Sequence, residues 1–124
     1  MTLALWCVLI AALLPFPFTL AAKFSKRFDN ARPREYLAAT TGWRGRANAV
    51  QQNAFETYPA FAAAVIVAQM LHVAAQGRID AFAIAYLVFR LAFGACYLAD
   101  LATLRSLMWF GSIGCIVGLF VISA

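Results

Sequence analysis

The sequence predicts an all-α integral membrane protein, a bundle of four transmembrane helices, and three observations carry that expectation. Of its 124 residues, 65% are apolar and only 12% charged, against roughly 25% charged in soluble domains. Four stretches of 19 to 21 residues are almost free of charge, each long enough to cross a bilayer. The net charge of +5 is confined to one segment between the first two of them. A soluble fold this small has too much surface to cover with so little polarity, and a disordered chain requires the opposite composition. The mean hydropathy of +0.80 agrees, and the length allows a single domain, residues 1–124.

The first expected span is Thr2–Ala22, which contains no charge. A cleaved signal peptide begins with a basic region, yet no Lys or Arg precedes Lys23, so an uncleaved span is expected. Pro15 and Pro17 fall late in it, where they bend a helix end rather than abolish the helix. Residues 23–47 are expected as a loop, with Lys23, Lys26, Arg27, Arg32, Arg34, Arg44 and Arg46 against only Asp29 and Glu35. The remaining spans are Thr57–Gly77, Ala81–Ala99, interrupted only by Arg90, and Ser106–Ala124. A basic surface for nucleic acid is the usual reading of a pI near 9.6. Apolar flanks make the positive-inside rule the better explanation, and no nucleic-acid partner is expected. The basic loop is then cytoplasmic, both termini lie outside, the Arg78–Asp80 turn is outside and the Asp100–Arg105 loop is cytoplasmic. Trp43 and Trp109 suit the cytoplasmic interface, Trp6 the opposite one.

Cys7, Cys96 and Cys115 lie singly in separate apolar stretches, without the Cys/His spacing of a metal site. They are expected as small hydrophobes. His72 is the only histidine, so no two-His metal motif or Ser-His-Asp set is available.

Arg90 is the most informative position. It lies about nine residues from either end of its expected span, roughly 13 Å deep at the helical rise. An arginine there costs about 2.5 kcal/mol or more unless paired or hydrated, so it is expected to face a protein interior or a watery crevice. Phe93 and Tyr97 follow at i+3 and i+7, on one stripe. Arg46, Asn53 and Glu56 fall within about 80° on a continuous helix, and Glu56 is a candidate partner for Arg90. Helix-start chemistry also accounts for Asn53 and Glu56, and Pro59 either marks a first turn or sits in a helix begun earlier. Arg105 precedes the fourth span, either as a topological anchor or, with Arg44 and Arg46, as part of a cationic funnel for an anion.

The stretch RANAVQQNAFETYPAFAAA, Arg46–Ala64, resembles the hallmark segment of the MAPEG family, membrane-associated proteins in eicosanoid and glutathione metabolism. The matching residues are Arg46, Asn53, Glu56, Pro59 and Phe61. An Arg with a Tyr seven residues on, in the third helix, is matched by Arg90 and Tyr97. An Arg–Ser pair opening the fourth is matched by Arg105 and Ser106. The resemblance covers nearly the whole chain and is closest to the compact bacterial branch. Eicosanoid-forming members carry further basic or His residues where this chain has Ala49, Val50, Gln51 and Gln52, and again near Asp100 and Ala102. The resemblance implies a homotrimer in the bacterial inner membrane that binds glutathione between subunits near the cytoplasmic face. Arg46, Asn53, Glu56, Arg90 and Tyr97 would contact or organise glutathione, Arg105 would stabilise its thiolate, and a lipophilic small molecule would be the second substrate.

Three functions follow. The first is a glutathione-dependent transferase or peroxidase acting on lipophilic electrophiles. The second is a MAPEG-like protein binding another anionic thiol or lipid without glutathione chemistry. The third is a small multidrug-type transporter, which four spans of this length also describe. Such a pump needs a membrane-embedded acid, and the first span has none.

Overall fold

Each apolar stretch becomes a helix because a chain in hydrocarbon must satisfy its backbone polar groups internally. The computed structural model describes all 124 residues. It contains α1 (Leu3–Leu13), α2 (Pro15–Lys23), α3 (Pro33–Ala39), α4 (Gly42–Leu71), α5 (Gln76–Leu98) and α6 (Ala102–Ser123), with no strand. Four stretches are long and apolar enough to cross a membrane: Leu3–Lys23, Gly42–Leu71, Gln76–Leu98 and Ala102–Ser123.

Thr2 starts α1, its hydroxyl accepting from the Leu5 N–H at 3.4 Å. Pro15 occupies the first turn of α2, and Leu14 keeps right-handed helical dihedrals (φ −55°, ψ −35°) between the two helices. The prolines therefore break the hydrogen-bond ladder without ending the span.

The segment expected as a loop over 23–47 is more ordered than composition suggests. Pro33 opens α3, which Arg32 and Glu35 brace with an exposed ion pair at 3.5 Å. Helix α4 already begins at Gly42, fifteen residues before the expected start at Thr57. Gly42 has φ +64°, a left-handed conformation costly for residues with a Cβ. At Gly45 a Cβ would stand 2.6 Å from the Thr40 carbonyl oxygen, so glycine permits the close approach of the α3–α4 turn to α4.

Further boundaries also move. Asn53 lies in mid-helix, not at a cap, and α4 runs through Pro59. The second connection is His72–Ala75, so Arg78 and Asp80 belong to α5 rather than to a turn. His72 ends α4 in a left-handed conformation (φ 53°) and is exposed. The last connection is Ala99–Leu101, which places Arg105 in the first turn of α6 rather than in a loop. Arg90 sits eight residues from the end of α5 and fourteen from its start, nearer the basic end of the bundle than its expected span implied.

One core joins all four spans. Ala4, Cys7 and Ala11 of α1 meet Phe61, Ala64, Val65 and Ala68 of α4, Ile79, Ala83 and Tyr86 of α5, and Cys115, Ile116 and Leu119 of α6. The three cysteines are buried and unpaired, as small hydrophobes would be. Small residues on α1 and α4 allow these helices to approach closely. Asp80 accepts a 2.9 Å hydrogen bond from the Ala4 N–H and a 2.8 Å bond from Gln76, tying the start of α1 to α5. At the opposite end, Thr19 donates to Gln51, Gln51 to Asn48 at 2.7 Å, and Asn48 to the Leu37 carbonyl at 3.3 Å. Ala22, Leu37 and Ala47 pack beside this polar chain and hold α3 on the bundle.

Candidate functional site

The third span carries the site's framework as a ladder of cations and rings. The Arg90 guanidinium lies 4.5 Å from the centroid of Phe93. Phe93 meets Tyr97 edge to face at 5.5 Å, and the Arg105 guanidinium covers Tyr97 at 4.4 Å. The i+3 and i+7 spacing stacks the first three along α5, and the short α5–α6 connection folds Arg105 back over the last ring. Cation–π contacts hold both arginines at the ring faces.

Arg90 is 2% exposed, and its Nε and Nη1 are buried without a hydrogen-bond partner. Buried donors are almost always satisfied, so these two mark a place where another polar group belongs. One turn before it, the Tyr86 hydroxyl donates to Thr57 at 3.1 Å. Thr57 donates in turn to the Asn53 carbonyl at 3.1 Å, and Tyr86 stacks on Phe61 at 3.8 Å. This pair fixes α5 against α4 just beneath Arg90.

Helix α4 contributes the facing residues. Arg46 donates from Nε to the Leu98 carbonyl at 3.2 Å, tying the start of α4 to the end of α5. Asn53 donates to Glu56 at 3.4 Å, while its Oδ1 is buried with no donor. Glu56 itself is exposed. It does not pair with Arg90 within one chain, because the only ion pair within 4 Å joins Arg32 and Glu35.

A cleft of about 340 Å³ opens against this framework, lined by Asn53, Phe93, Tyr97, Arg105, Ser106, Trp109 and Phe110. Of the six residues singled out from the sequence, Asn53, Tyr97 and Arg105 line it. Arg46 and Arg90 do not line it and hold the backbone-bonded and buried positions just described, and Glu56 is exposed, accepting from Asn53 at the cleft's edge. Trp109 and Phe110 were not recognised as cleft residues, Trp109 having been assigned to the membrane interface. Trp109 falls at i+4 from Arg105 and Phe110 at i+4 from Ser106, each one turn beyond a member of the Arg–Ser pair, and that periodicity is the signal that would have found them. The cleft thus has a cationic and amide-bearing wall beside an aromatic one, and Phe110 is 65% exposed at its edge.

Comparison with curated proteins gives no match. The MAPEG family model, in contrast, matches residues 3–124. Four apolar helices, a long second helix carrying Arg46, Asn53 and Glu56, and a family match across the whole bundle lead to one conclusion: the chain belongs to the MAPEG family, membrane proteins of eicosanoid and glutathione metabolism.

Proposed function

We propose that this protein is a membrane-bound, glutathione-dependent transferase or peroxidase acting on lipophilic electrophiles, assembled as a homotrimer with the cleft near the cytoplasmic face. The observation that carries the reading is the cleft's divided wall. Arg105, Asn53 and Ser106 offer a cation and hydrogen-bonding groups, while Phe93, Trp109 and Phe110 offer an apolar surface beside them. Glutathione supplies the sulfur nucleophile, and its carboxylates suit arginine, which binds them in a fixed fork. The orphaned Arg90 donors and Asn53 Oδ1 are the buried polar atoms such a ligand and its solvent would satisfy. Arg46, Asn53, Glu56, Arg90 and Tyr97 bind or arrange the tripeptide in this reading. Arg105 stabilises the thiolate, the reactive form of a thiol. The apolar wall admits a second substrate dissolved in the bilayer.

The test is conjugation of a chlorinated nitrobenzene by purified protein, with glutathione titrated by calorimetry. Saturable binding, weakened at least tenfold by Arg105→Ala, supports the reading. A flat titration of folded protein ends it.

A second reading, another anionic thiol or a lipid in the same cleft without glutathione chemistry, draws on one observation. Where eicosanoid-forming relatives carry extra basic or His residues, this chain has Gln51, and Gln51 is buried in the network with Thr19 and Asn48. It contributes nothing to the cleft. A binding comparison of several low-molecular-weight thiols separates the two readings.

A further inference from the structure

Apart from Arg46, which belongs to the proposed glutathione site, the segment that carries the chain's whole net charge lies outside the cleft above. Lys23 ends α2, Ser25 and Lys26 follow in the turn, and Arg44 lies in the first turn of α4. Together with Phe24 they line a separate cavity of about 450 Å³. An adjoining hollow of about 260 Å³ shares Ser25 and Arg44 and adds Arg27 and Tyr36. No carboxylate lines either one.

Three further observations make this more than a solvated charge cluster. The Arg44 Nε donates to the Phe24 carbonyl at 2.8 Å, and its guanidinium lies 4.9 Å from the Trp43 ring, so the group is fixed in place. None of Lys23, Lys26 and Arg44 has an acidic partner. Phe24 is 77% exposed and Trp43 44% exposed at the end of an apolar span, where aromatic rings mark the level of the lipid headgroups.

We propose that Lys23, Lys26 and Arg44 form a binding site for the phosphate of an anionic membrane phospholipid, with Ser25 beside the phosphate and Phe24 and Trp43 against the upper acyl chains. The cavity has the volume of a small-molecule site, three unpaired cations match a phosphate group, and basic pockets at span ends suit anionic headgroups. A soluble phosphate ester shares this chemistry. The exposed rings at the bilayer edge favour the lipid.

The test is retention of phosphatidylglycerol by the full-length protein in mixed detergent micelles at about 0.15 M salt, where diffuse surface attraction is largely screened. Bound lipid is read by native mass spectrometry against phosphatidylcholine. Phosphatidylglycerol is expected to be retained at least tenfold better. A triple Lys23→Gln, Lys26→Gln, Arg44→Gln variant loses about a hundredfold, at about fivefold per charge. Ser25→Asp provides an independent arm. The Ser25 hydroxyl accepts from the Arg27 N–H at 3.2 Å, and an aspartate keeps that acceptor while placing a negative charge in the cavity, so retention falls at least tenfold in a folded protein. Arg32→Gln with Arg34→Gln, two basic residues outside the cavity, changes retention by less than about twofold. Equal retention of the two lipids overturns the proposal. So does an equal loss in the Arg32/Arg34 control, or displacement of the lipid by glycerol phosphate at matched concentration.

Discussion

Replacing Arg105 by alanine leaves the Tyr97 ring in place and removes one positive charge from the cleft wall. A cleft of about 340 Å³ has a radius of about 4 Å, so a sulfur at its centre lies about 6 Å from the guanidinium, an attraction of about 2.8 kcal/mol at an effective dielectric near 20. A cation favours the charged form of a thiol, so this energy raises the thiolate population about a hundredfold wherever the thiol would otherwise stay protonated. A less basic thiolate is also a weaker nucleophile, and a Brønsted slope of about 0.45 offsets about eightfold of that gain. At pH 7 an unassisted thiol is about 3% ionised and the assisted one about 80%, a gain of about twenty-fivefold, so the net expectation is about a threefold loss of kcat in Arg105→Ala at saturating glutathione. The sign then changes with pH. Above about pH 9.5 a thiol ionises unaided, and the variant matches or overtakes the parent protein. Arg105→Lys keeps the charge and holds most of the pH 7 rate. The assay is chloronitrobenzene conjugation in stopped flow from pH 6 to 10. A loss of constant size across that range refutes the reasoning, because it assigns Arg105 to binding alone.

Three further perturbations test the framework. Arg90→Met removes a buried charge whose Nε and Nη1 lack partners while keeping an unbranched apolar stem, so the midpoint of thermal unfolding in detergent rises by a few degrees as glutathione affinity falls; a lower midpoint makes Arg90 a structural staple instead. Tyr86→Phe keeps the stack on Phe61 but deprives Thr57 of its donor, at a cost of about 1 kcal/mol, read as a lower unfolding midpoint in the same thermal scan. Gly45→Ala forces a Cβ toward the Thr40 carbonyl, costing about 1–3 kcal/mol, and limited proteolysis should then cut first between α2 and α4.

Sequence reading is most reliable here where the solvent dictates the answer. Hydrocarbon admits only helices and closed barrels, and apolar runs of this length fit helices alone, so the four spans were legible from Leu3 to Ser123. The early start of α4 was not, because Arg44, Arg46, Asn48 and Gln51 carry no apolar signal. That stretch is helical through contacts with distant partners, Leu98 for Arg46, Leu37 for Asn48 and Thr19 for Gln51. The same division holds in the cleft. Arg90, Phe93 and Tyr97 share one helix, and their spacing alone stacks them. That Arg105 covers Tyr97, and that Glu56 forms no ion pair with Arg90 within one chain, depends on how separate helices pack, which no local spacing encodes.

The hydrogen bond from the amino end of α1 to Asp80 joins residues 76 positions apart. Thr19 near the far end of the first span can already bind Gln51 of the second, but its amino end has no such latch until the third has been threaded into the bilayer, and that end of the bundle closes last, on a carboxylate that its backbone solvates.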